Sequence, residues 1–87
     1  MKIKDGFILR EVAGNTIVVA VGNTVKEFNG VINLNQTGAF LWKILQNGAE
    51  KEDLVKALLG EYEVDEQTAE KDVEAFIGRL QQANLVK

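Results

Sequence analysis

Two hydrophobic periods divide the chain. Up to Leu34, apolar residues alternate or run in short Val/Ile-rich blocks broken by Gly and Asn, the pattern of strands and tight turns. Beyond it they recur at intervals of three and four within Leu-, Ala-, Glu-, Lys- and Gln-rich segments, the pattern of helices. The first half predicts a strand over residues 7–13 and a second over 16–21, joined across Gly14-Asn15, a pair suited to a two-residue hairpin with Gly first. Asn29-Gly30 predicts a further turn, with residues 25–28 extended before it and Val31-Ile32-Asn33-Leu34 as a third strand. Alternation puts Ile32 and Leu34 on one face of that strand and Val31 and Asn33 on the other.

The second half predicts three helices. The first starts after Asn35 as cap, buries Ala39, Leu41, Trp42 and Leu45, and stops at Asn47-Gly48. The second carries Glu50, Glu52 and Asp53 in its first turn and Leu54, Val55, Leu58, Leu59 and Tyr62 as its stripe, with Gly60 weakening its end. The third is capped by Asp65 and buries Ala69, Val73, Phe76, Ile77 and Leu80. Asn84 ends it, and Leu85-Val86 fold back onto the core. Trp42 and Phe40 are assigned to that core. Strands followed by helices, with no flexible linker between them, predict an α+β fold with one shared core over residues 1–87, arranged like a winged helix-turn-helix.

Composition narrows the chemistry. The 87 residues include no His, Cys, Pro or Ser. Imidazole and thiolate ligands, disulfides and the commonest nucleophiles are therefore missing, so no metal, no cofactor and no catalytic residue is expected. A carboxylate-based enzyme has only the abundance of Asp and Glu to support it, which solvated helix faces explain without chemistry. Residues 1–5 lack the apolar stretch of a signal peptide, and the longest apolar run, residues 17–21, is far too short to span a bilayer. A cytoplasmic protein with no membrane association is expected.

Winged helices commonly bind nucleic acid, but charge argues against it here. Residues 49–87 hold ten acids against five bases, whereas residues 1–48 hold five bases against three acids. The third helix, which would enter a groove of DNA, carries Asp65, Glu66, Glu70, Asp72 and Glu74 against Lys71 and Arg79. A phosphate backbone would repel it.

The string from Phe28-Asn29-Gly30 through Leu34-Asn35-Gln36-Thr37-Gly38-Ala39 to Trp42, followed by Leu54, Tyr62, Val64-Asp65, Ala69, Asp72-Val73, Phe76, Leu80 and Ala83-Asn84-Leu85-Val86, resembles the PqqD-like family. These small proteins are named for coenzyme pyrroloquinoline quinone synthesis. The junction from Leu34 to Ala39 is the most specific part. The resemblance implies a RiPP recognition element, a non-enzymatic peptide chaperone that captures the leader of a ribosomally made precursor by strand addition and presents it to a modifying enzyme such as a radical SAM maturase. It implies a groove between the third strand and third helix, hence Val31, Ile32, Asn33 and Leu34 on the edge and Asp72, Ala75, Phe76 and Arg79 facing it.

Ile32, Leu34 and Phe76 are then either an apolar groove floor or ordinary core. Asp72 and Arg79 either tether charged peptide residues or simply face water. An unpaired edge can also join a second copy of the chain in a homodimer. The reading set against this one is a protein–protein or transcription-regulatory winged-helix adaptor whose acidic surface docks a basic partner.

Overall fold

The computed structural model describes residues 1–22 and 30–87. The expected extended stretch 25–28 lies outside the described residues, as does Asn29 of the expected turn. Strands β1 (Phe7–Val12), β2 (Asn15–Ala20) and β3 (Val31–Leu34) precede helices α1 (Gln36–Leu45), α2 (Lys51–Glu61) and α3 (Glu66–Gln82). The strands form an antiparallel sheet in the order β1-β2-β3. This is the α+β, winged-helix-like order expected.

The first hairpin differs from expectation. Its two-residue turn is Ala13-Gly14 rather than Gly14-Asn15, and β1 and β2 end one residue earlier than predicted. Core packing explains the choice. The observed register sets Leu9 opposite Val18, whereas a Gly14-Asn15 turn would set Glu11 opposite Val18 on the core face. Both turn residues adopt positive φ, +53° at Ala13 and +82° at Gly14, as the favoured two-residue hairpin turn requires. For Ala13 that conformation costs about 1–2 kcal/mol. Ala13→Asn is therefore expected to stabilise the protein by about 1 kcal/mol, raising Tm by about 4–8 °C in a thermal scan.

The helix starts follow the capping residues. Asn35 Oδ1 accepts from the Gly38 N–H at 2.7 Å, Asp65 Oδ1 from the Thr68 N–H at 2.7 Å, and Asp53 Oδ2 from the Glu50 N–H at 2.9 Å. Hydrogen bonds from Thr68 hold the Asp65 carboxyl below the ordinary aspartate range. Because the folded-state value is the lower one, the cap's contribution is fully present above the unfolded-state value of about 4 and is lost as pH falls from there through the folded-state value. Asp65→Asn is expected to leave the neutral-pH Tm nearly unchanged and to flatten the acid limb of Tm against pH.

One core joins the two halves. Val18, Ile32 and Leu34 from the sheet meet Leu41, Trp42 and Leu45 of α1, Leu54, Val55 and Leu58 of α2, and Ala69, Val73, Phe76, Ile77 and Leu80 of α3. Leu59, expected in the α2 stripe, is 39% exposed, and α2 continues through Gly60 to Glu61. Phe40, expected in the core, is only half-buried and packs edge-on against Tyr62, with ring centroids 5.6 Å apart. Leu85 is fully buried and Val86 folds back, as anticipated. Their partner was not anticipated: Ile3 bridges Val86, and the Lys4 N–H donates to Leu85 O at 2.8 Å.

Candidate functional site

The fold leaves β3 on an edge. Among the described residues it is paired with β2 alone. In an antiparallel pair successive residues alternate between facing the partner and facing away, so two of the four β3 residues direct their N–H and C=O groups outward. Asn35 follows Leu34 without a loop and caps α1, turning the chain away at once. Helix α3 faces this end of β3 across a gap. The result is a cleft of about 470 Å³, lined by Asn33, Leu34 and Asn35, by Thr37, Gly38 and Leu41 of α1, and by Asp72, Ala75, Phe76 and Arg79 of α3.

Its parts have distinct origins. Leu34, Leu41 and Phe76 are at most 7% exposed, so core and cleft floor are the same side chains here. Ala75 is exposed and has too little bulk to fill the space. Asp72 and Arg79, both exposed, stand two helical turns apart on the rim and give it one acidic and one basic end. Gly38 matters for closeness: a Cβ there would lie 3.2 Å from Asn35 Oδ1 and 3.4 Å from Leu34 Cδ2, so glycine lets the first turn of α1 sit tightly against the end of β3.

Six of the eight residues singled out from the sequence therefore line one cleft: Asn33, Leu34, Asp72, Ala75, Phe76 and Arg79. The other two, Val31 and Ile32, belong to the strand but not to the cleft wall. Val31 is 57% exposed on the outer sheet face, while Ile32 points into the core. The expected alternation along β3 thus holds. Asn35, Thr37, Gly38 and Leu41 were missed as lining residues. A helix that starts immediately after an edge strand must place its first turn beside that strand, and this signal was present in the Leu34-Asn35 junction.

Charge on the helical side is structural in part. Lys51 Nζ on α2 lies 2.6 Å from Glu74 Oε1 on α3. The pairing lowers the Glu74 carboxyl and raises the Lys51 ammonium relative to their ordinary values. Both groups are solvent-exposed, so the pair adds little to stability. Asp72 and Arg79 are not drawn into it. Among the described residues, no three acidic side chains gather in a way that would hold a metal ion, and no helix is long and apolar enough to cross a membrane.

The family described as Coenzyme PQQ synthesis protein D (PqqD) matches residues 15–86. Two solved structures share the fold. One, "TbiB1 in Complex with the TbiA(beta) Leader Peptide", is 25% identical, with a TM-score of 0.78 over all of this chain and 95% of that one. The other, "Lasso peptide synthetase B1 complexed with the leader peptide", is 21% identical, with a TM-score of 0.76 over 99% of this chain and 95% of that one, a likeness of fold. No curated protein sequence matches the chain.

Proposed function

The chain belongs to the PqqD family, and from that premise we propose that it binds the leader segment of a ribosomally made precursor peptide in the cleft between β3 and α3. The observation that carries the reading is an open strand edge bordering an apolar-floored cleft, in a fold shared along its whole length with a protein solved in complex with a leader peptide. The peptide adds a strand beside β3, and the domain, spanning residues 1–87, presents it to a modifying enzyme, a radical SAM maturase in the pathway type for which the family is named. The domain has no catalysis of its own, works without a cofactor, and acts in the cytoplasm.

Magnitudes say what the cleft must supply. Two outward-facing residues offer at most four ladder hydrogen bonds, a net of about 1 kcal/mol each. Fixing a six-residue strand costs about 1–2 kcal/mol per residue in backbone entropy. Hydrogen bonds alone therefore fall short. Side-chain burial at roughly 1.5–3 kcal/mol per anchor makes up the difference. The floor of Leu34, Leu41 and Phe76 receives those anchors, while Asp72 and Arg79 select the charges beside them.

The test is titration of the isotope-labelled domain with synthetic peptides covering each short reading frame encoded near its gene. Amide shifts are expected along residues 31–35, at Thr37 and Gly38, and along α3 from Asp72 to Arg79. No binding at high micromolar concentration to any such peptide would overturn the reading.

A further inference from the structure

A second cleft lies on the other side of the β3–α1 junction. It measures about 610 Å³ and runs between the tip of the β1–β2 hairpin and the outer face of α1, with Tyr62 closing it from beyond α2. The hairpin contributes Glu11, Gly14, Asn15 and Thr16. Helix α1 contributes Gln36, Ala39, Phe40 and Lys43, which share one face at spacings of three, one and three. Leu34 and Asn35 apart, its lining residues are not those of the leader-binding cleft.

Three observations point to a peptide as its occupant. Leu34 and Asn35 line both clefts, so the two adjoin at the exposed Asn35 at the start of α1. Within a mostly polar lining it holds one aromatic pair: Phe40 and Tyr62, both half-buried, meet edge-to-face with an interplanar angle of 88°. Its walls carry one charge of each sign, Glu11 and Lys43, and among the described residues neither has an ion-pair partner. A bulky apolar side chain flanked by polar backbone fits that combination. A nucleic acid does not, because a single lysine set against a glutamate cannot hold a phosphate run.

We infer that this second cleft binds the onward segment of the same peptide whose strand-forming part occupies the β3–α3 cleft. That segment crosses the β3–α1 junction and anchors one aromatic or large aliphatic residue on Phe40 and Tyr62. The inference rests on the leader-peptide reading. It extends recognition from one short strand to two anchored stretches joined by a crossing, so affinity grows through effective concentration rather than through a stronger first contact. It also fixes the path of the peptide as it leaves the strand, past the hairpin tip.

The test uses a displayed library of random 24-residue peptides selected on the full chain. Winners that lose binding to Ala75→Trp, which blocks the β3–α3 cleft, are synthesised whole and trimmed from either end. Whole peptides are expected to bind at least tenfold tighter than the trimmed forms that keep the strand segment. They are also expected to shift the amides of Gly14, Asn15, Thr16 and Lys43. Lys43→Glu and Gln36→Trp, both on exposed positions outside the first cleft, should erase the tenfold gain and leave trimmed peptides unaffected. Equal affinity of whole peptides for the wild-type protein and both variants, with the hairpin amides unmoved, would overturn the second cleft alone. Winners insensitive to Ala75→Trp would instead count against the leader-binding cleft itself.

Discussion

Ala75→Trp is expected to abolish leader binding, with at least a hundredfold loss of affinity, while shifting Tm by no more than a few degrees. Ala75 is exposed, lies on α3 between the charged ends of the cleft, and lines it without contributing to the core. An indole placed there occupies the volume the peptide side chains need. Its intrinsic cost is small, because tryptophan is less favourable than alanine in a helix by well under about 1 kcal/mol. Calorimetric titration with the precursor leader reads the affinity, and thermal denaturation reads the fold. A stable variant that binds the leader as well as the wild-type protein does would place the peptide elsewhere. A hundredfold loss corresponds to about 2.7 kcal/mol, roughly one buried anchor, so the variant asks whether a single apolar contact on that wall decides recognition.

Trp42→Ala is expected to have the opposite signature, a large loss of stability that takes binding with it only by unfolding the protein. Trp42 is fully buried on α1 and belongs to the core that joins the sheet to all three helices. Truncating a buried tryptophan costs about 3–5 kcal/mol through lost transfer energy and the cavity left behind. A chain of this length has a net stability of about 4–13 kcal/mol at 0.05–0.15 kcal/mol per residue, so the change removes a large part of it. Urea denaturation should show the midpoint falling accordingly. Trp42→Phe retains most of the buried ring and should cost much less. A loss under about 1 kcal/mol for Trp42→Ala would mean that the core is not organised around this side chain.

Helix legibility was high because its determinants are local. Asn35 and Asp65 cap where their side chains reach the N–H three residues on. The stripe of Ala69, Val73, Phe76, Ile77 and Leu80 is buried throughout because helical geometry alone puts those positions on one face. The hairpin turn was less legible. Gly14-Asn15 is a good turn by composition, yet the chain turns at Ala13-Gly14, accepting an alanine at φ +53° to keep Leu9 and Val18 together on the core side. Local turn preference and non-local packing conflicted there, and packing was worth more. Ile3 was illegible for a related reason. A lone apolar residue among Lys2, Lys4 and Asp5 has no period, and only its meeting with Val86 gives it a place.

The candidate site divides in the same way. The family resemblance pointed to β3 and α3, and six of the eight residues named on that basis line one cleft. The contribution of α1 through Asn35, Thr37, Gly38 and Leu41, and the neighbouring cleft beneath the hairpin, were not foreseen. By itself the sequence determined the elements, their caps, the faces they bury, and the absence of imidazole and thiol chemistry, since each depends on residue type and on spacings of a few positions. Only the tertiary structure decided the register of the first hairpin, the pairing of Ile3 with Val86, and the gap held open between an edge strand and a helix some forty residues further on. Those depend on contacts between distant segments competing for one core, and the best-packed core settles them, whatever each segment would prefer alone.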